Sequence, residues 1–201
     1  MDTGRHNTEV AVFVRGRGAD KAVDAALLTE AVERITHTPR VRIEQHCPHC
    51  GSLSHGRPLV VSPPHLVDAV HVSLSRAGGL VAVAVSSAGP VGIDIEEFAA
   101  VQRAGFDDVA FSAAERMALL PLRGIAADRA RASMWTGKEA VLKLTGEGLR
   151  TDPRKVEITL DGATSCVSSR SEIQLLGFEP GPGLVGTIAV QTGRPPRLTL
   201  H

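Results

Sequence analysis

Val91-Gly92-Ile93-Asp94-Ile95-Glu96 alternates β-branched apolar residues with Gly92, Asp94 and Glu96. A period of two is that of a strand with one buried face, and residues i and i+2 then project to the same side. Asp94 and Glu96 therefore aim at one spot. Downstream, Trp135-Thr136-Gly137-Lys138-Glu139-Ala140-Val141-Leu142-Lys143 reads as helix, with Trp135, Glu139 and Lys143 at i, i+4 and i+8 along one stripe. Three carboxylates with lysines beside them suit a hard divalent cation that holds a phosphate-bearing substrate.

Outward from these runs the chain alternates between the two periods. Strand patterns are predicted at Glu9–Arg15, Arg40–Gln45, Val70–Leu74, Leu80–Val85, Val91–Glu96, Val156–Leu160, Ile173–Leu176 and Val185–Val190. Gly78-Gly79 joins the third and fourth as a hairpin. Helical spacing runs over Ala19–Thr36 and over Ala127–Thr145, the second stopping near Gly146. Ser112-Ala113-Ala114-Glu115 has the form of a capping box and reads as a plain helix start. Cys47–Pro58 reads as a loop, and the tail holding Gly193, Pro195 and Pro196 as frayed. The order strand, helix, strands occurs twice, with a seam near Ser86–Pro90.

The composition narrows the function class. The 201 residues carry 22 Lys+Arg against 22 Asp+Glu, which argues against a general nucleic-acid or polybasic membrane binder. Any anion site must be local. Aromatics make up 3% and Tyr is absent, so the core must be built from Val, Leu, Ile and Ala. No apolar run approaches the roughly 20 residues of a membrane span. Met1-Asp2-Thr3-Gly4-Arg5 lacks the apolar region of an export signal, so the expected location is the cytoplasm.

Read singly, Glu139 and Lys143 fit a surface ion pair, and Asp94 and Glu96 fit the solvated face of an antiparallel strand. Together, a Gly-x-Asp-x-Glu strand followed by a Trp-x-x-Lys-Glu-Ala-x-x-Lys helix resembles the 4′-phosphopantetheinyl transferases, most closely the surfactin-synthetase type. That resemblance implies an α+β fold: a pseudo-dimer of two similar halves, each a small antiparallel sheet with a long helix, and an active site in the cleft between them. The expected divisions are residues 1–88, residues 89–192 with the metal site, and a tail at 193–201.

The resemblance further implies transfer of 4′-phosphopantetheine from coenzyme A to a serine of an acidic apo acyl or peptidyl carrier protein, with release of adenosine 3′,5′-bisphosphate. Magnesium is the implied cofactor, with Asp94, Glu96 and Glu139 as its ligands. Lys138 and Lys143 are expected to face phosphate, and Glu139 and Lys143 to serve catalysis, Glu139 by taking the serine proton directly or through water. Arg57, in His55-Gly56-Arg57-Pro58, matches the family's Gly-Lys/Arg-Pro element and inherits contact with a coenzyme A phosphate. His71-Val72-Ser73-Leu74-Ser75 stands where the family has Asn-x-Ser-His-Ser. Ser73 and Ser75 match, His71 replaces the Asn, and Leu74 replaces a His that normally binds a nucleotide phosphate. Gly148, in Gly146-Glu147-Gly148-Leu149, is expected beside the pantetheine arm. Arg116, Arg123, Arg129 and Arg131 are candidates to meet the carrier. Two halves in one chain close a cleft without a second copy, so a monomer is expected.

His46-Cys47-Pro48-His49-Cys50-Gly51 looks like one zinc knuckle, half of a tetrahedral site. His46, His49, His55, His65 or Cys166 would have to complete it. A reduced pair beside the nucleotide site is the preferred reading. The rival to an enzyme is a non-catalytic coenzyme A/carrier-binding or zinc-dependent interaction module.

Overall fold

The computed structural model describes residues 8–47, 49–161 and 165–201. In chain order these form β1 (Glu9–Gly16), α1 (Lys21–Thr36), β2 (Arg42–His46), β3 (Arg57–Ser62), β4 (His71–Ala77), β5 (Leu80–Ser86), β6 (Val91–Glu97), α2 (Phe98–Ala104), α3 (Asp107–Ala110), α4 (Ala113–Leu119), α5 (Gly124–Thr145), β7 (Ile158–Asp161), β8 (Ser165–Ser168), β9 (Ile173–Phe178), β10 (Leu184–Gln191) and β11 (Arg197–Leu200). The expected α+β class holds.

Two sheets carry the fold, ordered β11-β1-β5-β4 and β6-β10-β9. β1 pairs antiparallel with β5 and β5 with β4; β6 pairs antiparallel with β10 and β10 with β9. Period-two alternation then builds three apolar layers. Ala11, Phe13, Val81, Val83 and Val85 point at Leu27, Leu28, Ala31 and Val32 of α1. Val10, Val12, Ala82 and Ala84 point the other way, onto Val91, Ile93, Ile95, Ile188 and Val190 of the second sheet. The outer face of that sheet takes α5, through Ala140, Val141 and Leu144. The layers thus run α1, sheet, sheet, α5.

The approach of α5 is set by Gly92. It lies on the same face of β6 as Asp94, and a Cβ there would fall 1.9 Å from Ala140 O. Without a side chain at 92, the helix backbone rests directly on the strand.

The two sheets meet along a polar seam. β4 and β6 are both edge strands. The outward N–H groups of Ile93 and Ile95 donate to Ser73 Oγ (3.1 Å) and Ser75 Oγ (3.3 Å). Side chains two apart on β4 therefore satisfy a sheet edge that has no strand beside it.

Several local expectations differ from the structure. The tail is ordered: Arg197–Leu200 runs parallel to β1, and His201 stacks on Phe13 at 4.6 Å. Burial of an otherwise open β1 edge outweighs the breaking tendency of Pro195 and Pro196. The segment after Gly56 is a strand, β3, antiparallel to β2. The capping box is present, Ser112 N–H donating to Glu115 Oε2 and Glu115 N–H to Ser112 Oγ. Among the described residues, no helix is long and apolar enough to cross a membrane.

Candidate functional site

A cavity of about 640 Å³ opens between α1, the β2–β3 hairpin, β4 and the end of α5. Its walls come from the start of α1 (Lys21, Ala22), the β2–β3 hairpin (Cys47, His55, Gly56, Arg57), the β4 edge (Ser73, Leu74, Arg76) and the end of α5 with the turn beyond it (Lys143, Gly148, Arg150). Lys21, Arg57, Arg76, Lys143 and Arg150 give it a basic lining against a single acid, Glu147. The chain is neutral overall, so this is the local anion site that the balanced composition required.

Arg57 crosses from the hairpin to donate from Nη1 to Leu144 O, 3.2 Å away, at the C-terminal end of α5. A cation at that end complements unsatisfied carbonyls and the helix dipole. Its Nε–H is buried with no acceptor, and burial lowers the guanidinium's affinity for its proton. An unpaired buried donor in a cavity wall suits an anionic ligand.

Lys143 stands where the cavity meets the carboxylates. Its Nζ donates to Asp94 Oδ1 (2.7 Å), Ser75 Oγ (3.0 Å) and Ile93 O (3.1 Å). Ser75 Oγ in turn donates to Asp94 Oδ1 at 2.7 Å. Asp94 is 4% exposed, and its second oxygen, Oδ2, is buried without a partner, as is Glu139 Oε1. Burial pushes the Glu96 carboxyl up to about 7, with the Asp94 charge adding to the rise and Lys143 opposing it. Burial likewise raises Glu139, with Asp94 adding and Lys143 opposing. Asp94, Glu96 and Glu139 thus feel one another's charge with one lysine among them. Orphaned buried carboxylate oxygens and a surplus of negative charge are what a divalent cation would relieve. The three do not form a closed coordination shell. Among the described residues, the set of three metal-type donors with all ligand atoms within 4.8 Å of one another is Cys47, Cys50 and His55.

Other expected site residues stand elsewhere. Lys138 does not reach the cavity, and this corrects its assignment to phosphate. It is 0% exposed, and its Nζ donates to Val156 O (2.6 Å), Pro153 O (2.9 Å) and Glu115 Oε1 (2.7 Å). Ser73 borders the cavity, but its hydroxyl, like that of Ser75, already serves the seam. His71 lies outside the cavity wall, with burial and the nearby Arg57 charge disfavouring its protonation and Asp68 opposing them. Leu74 lines the wall. Arg76 and Arg150, which sequence reasoning missed, line the same wall with positive charge. Arg76 is set by Asp24 of α1, whose Oδ2 it meets at 2.5 Å. Trp135 packs against Phe106, ring centroids 4.7 Å apart, as a core residue. Arg116, Arg129 and Arg131 are paired within the chain, with Asp108, Glu179 and Asp107, while Arg123 turns back onto Leu120 O and Leu122 O.

Residues 90–177 match the family model of the 4′-phosphopantetheinyl transferase superfamily. The resemblance read from the β6 and α5 motifs is therefore borne out over that stretch. No curated protein sequence matches the chain. A solved structure similar to part of it is a holo-(acyl-carrier-protein) synthase from Bacillus anthracis str. Ames in complex with CoA (3′,5′-ADP). It is 20% identical, with a TM-score of 0.44, over 52% of this chain and 96% of that one.

Proposed function

We propose that this chain moves the 4′-phosphopantetheine arm of coenzyme A onto a serine of an apo carrier protein and releases adenosine 3′,5′-bisphosphate. One observation carries the reading: a basic cavity runs up to a cluster of one buried and two half-buried carboxylates, and Lys143 belongs to both. The superfamily match over residues 90–177 supports it independently.

Lys21, Arg57, Arg76 and Arg150 bind and orient the anionic co-substrate through its phosphates. Lys143 adds positive charge where the transferred phosphorus would lie, which favours the developing charge on its oxygens. Gly148 lines the cavity without a side chain, leaving room for the pantetheine arm. Glu139 holds a proton more tightly than an ordinary carboxylate and takes the proton of the carrier serine, directly or through water. Magnesium, held by Asp94, Glu96 and Glu139, would neutralise pyrophosphate charge there. Both halves of one chain wall the cavity, which supports a monomer as the active unit.

The test is incubation with coenzyme A, magnesium and a panel of acidic apo carrier proteins, followed by intact-mass measurement of the carrier. Gain of one phosphopantetheine per carrier is expected. Tight binding of coenzyme A with no mass gain on any carrier would instead identify a binding module.

A further inference from the structure

We propose that Cys47, Cys50 and His55 bind one zinc ion at the lip of the cavity. The thiol sulfurs of Cys47 and Cys50 and a ring nitrogen of His55 lie within 4.8 Å of one another, with Cys50 Sγ 3.4 Å from His55 Nε2. Zinc with sulfur at about 2.3 Å and imidazole nitrogen at about 2.0 Å sets tetrahedral neighbours about 3.5 Å apart. Cys50 and His55 are therefore at ligated spacing before any metal arrives, with Cys47 within 4.8 Å of both.

The backbone is built to hold that spacing. Gly51 N–H donates to Cys47 O at 2.9 Å, and Cys47 N–H to Ser52 O at 2.9 Å, which folds the first two sulfurs into one turn. The third donor arrives because the loop's two ends cross. Gly56 has φ +110°, and a Cβ there would lie 2.4 Å from His46 O and 2.6 Å from Cys47 N. Only glycine permits this crossing, and it returns His55 to the cysteines.

The loop needs such a staple. Leu53 is 65% exposed, and Cys47, 5% exposed, is the loop's buried side chain among the described residues. The turn thus has no core of its own, yet it presents His55, Gly56 and Arg57 to the cavity. Two thiolates and a neutral imidazole around Zn²⁺ carry no net charge, so the site holds the lip without opposing an anion in the basic cavity. Three protein donors leave one corner of the tetrahedron for water. The structural description of side chains does not extend to Cys166.

The experiment uses the full chain, reduced and stripped of metal, titrated with Zn²⁺ against a chromogenic chelator and with Co²⁺ by absorption. The expected result is one ion per chain, a tetrahedral cobalt spectrum with thiolate-to-cobalt charge transfer, and slower amide exchange over residues 49–56 with zinc bound. Cys50→Ser and His55→Ala should each weaken zinc binding by at least about 100-fold. A parent protein that takes no zinc after reduction, a cobalt spectrum without the sulfur band, or a folded Cys50→Ser variant with parental affinity would overturn the site.

Discussion

Gly92 lies so close to Ala140 that a Cβ at position 92 would sit 1.9 Å from the Ala140 carbonyl oxygen and 2.7 Å from Leu144 N. The contact is backbone against backbone, so no side-chain rotation relieves it. Two positions along the same face, Asp94 meets Lys143. The bare glycine therefore fixes the distance at which the ion pair forms. Gly92→Ala should cost about 3 kcal/mol of stability by forcing α5 off β6, and the folded fraction should bind coenzyme A more weakly. Urea denaturation checks the first; an unchanged midpoint would mean that the helix is not held by this contact.

Lys138 and Lys143 look alike in the sequence and do opposite things. Five residues apart on a helix, they point about 140° apart, and only Lys143 turns to the cavity. Lys138→Met leaves Glu115 buried without its cation, and breaking a buried pair from one side costs about 3–5 kcal/mol. Glu115 accepts from Ser112 N–H on one oxygen and from Ile158 N–H on the other, and Gln can keep only one of these, so Lys138→Met with Glu115→Gln should recover only the part of the loss that comes from the uncompensated charge. A double-mutant cycle by denaturation measures this. Single-variant costs that simply add up in the double variant would show that the pair does not couple.

Much of this was legible in the sequence because it rests on local periodicity. The alternation of β6 and the stripe through Glu139 and Lys143 identified the two elements that carry the carboxylates. What stayed hidden depends on contacts between distant segments. The Ser73 and Ser75 hydroxyls read as ligands by motif position, yet they cap the open edge of β6, a strand whose pairing no local pattern reveals. Arg76 carried no motif at all. Its place in the cavity wall follows from a buried aspartate 52 positions earlier in the chain. β11 was missed because a four-residue edge strand preceded by two prolines has a turn's composition, and its partner β1 lies at the opposite end of the sequence.

Asp24 makes stability acid-sensitive. Burial alone would raise its pKa, but the Arg76 hydrogen bond, the Gly18 N–H, and the charges of Arg76 and Arg17 outweigh that and lower it below 3.8. A carboxyl that is more acidic folded than unfolded stabilises the fold fully above its ordinary value. That stabilisation is lost as pH drops below 3.8 through the lower folded value. Asp24→Asn should be less stable at neutral pH by about 2 kcal/mol, the scale of a charged hydrogen bond. Its stability should also fall less steeply than the parent's over that acid range. Thermal melts at stepped pH compare the two slopes; parallel slopes would remove Asp24 from the acid transition.

Glu139→Gln separates a ligand from a packing residue. Glu139 Oε1 is buried with no hydrogen-bond partner and faces the Asp94 charge. Burial and the Asp94 charge outweigh the attraction of Lys143, so the charge on Glu139 does not favour the folded state and the amide should be no less stable than the parent by denaturation. Its chemistry is another matter. The amide neither takes a serine proton nor binds a hard cation as a carboxylate does. Transfer should fall by at least about 100-fold, the scale of losing one charge-stabilising group at a reaction centre, and magnesium should be needed at higher concentration. Coenzyme A affinity measured without metal should stay at the parent's value, because the phosphate-binding cations are untouched. Lost stability with normal transfer would reverse the assignment and make Glu139 a structural residue.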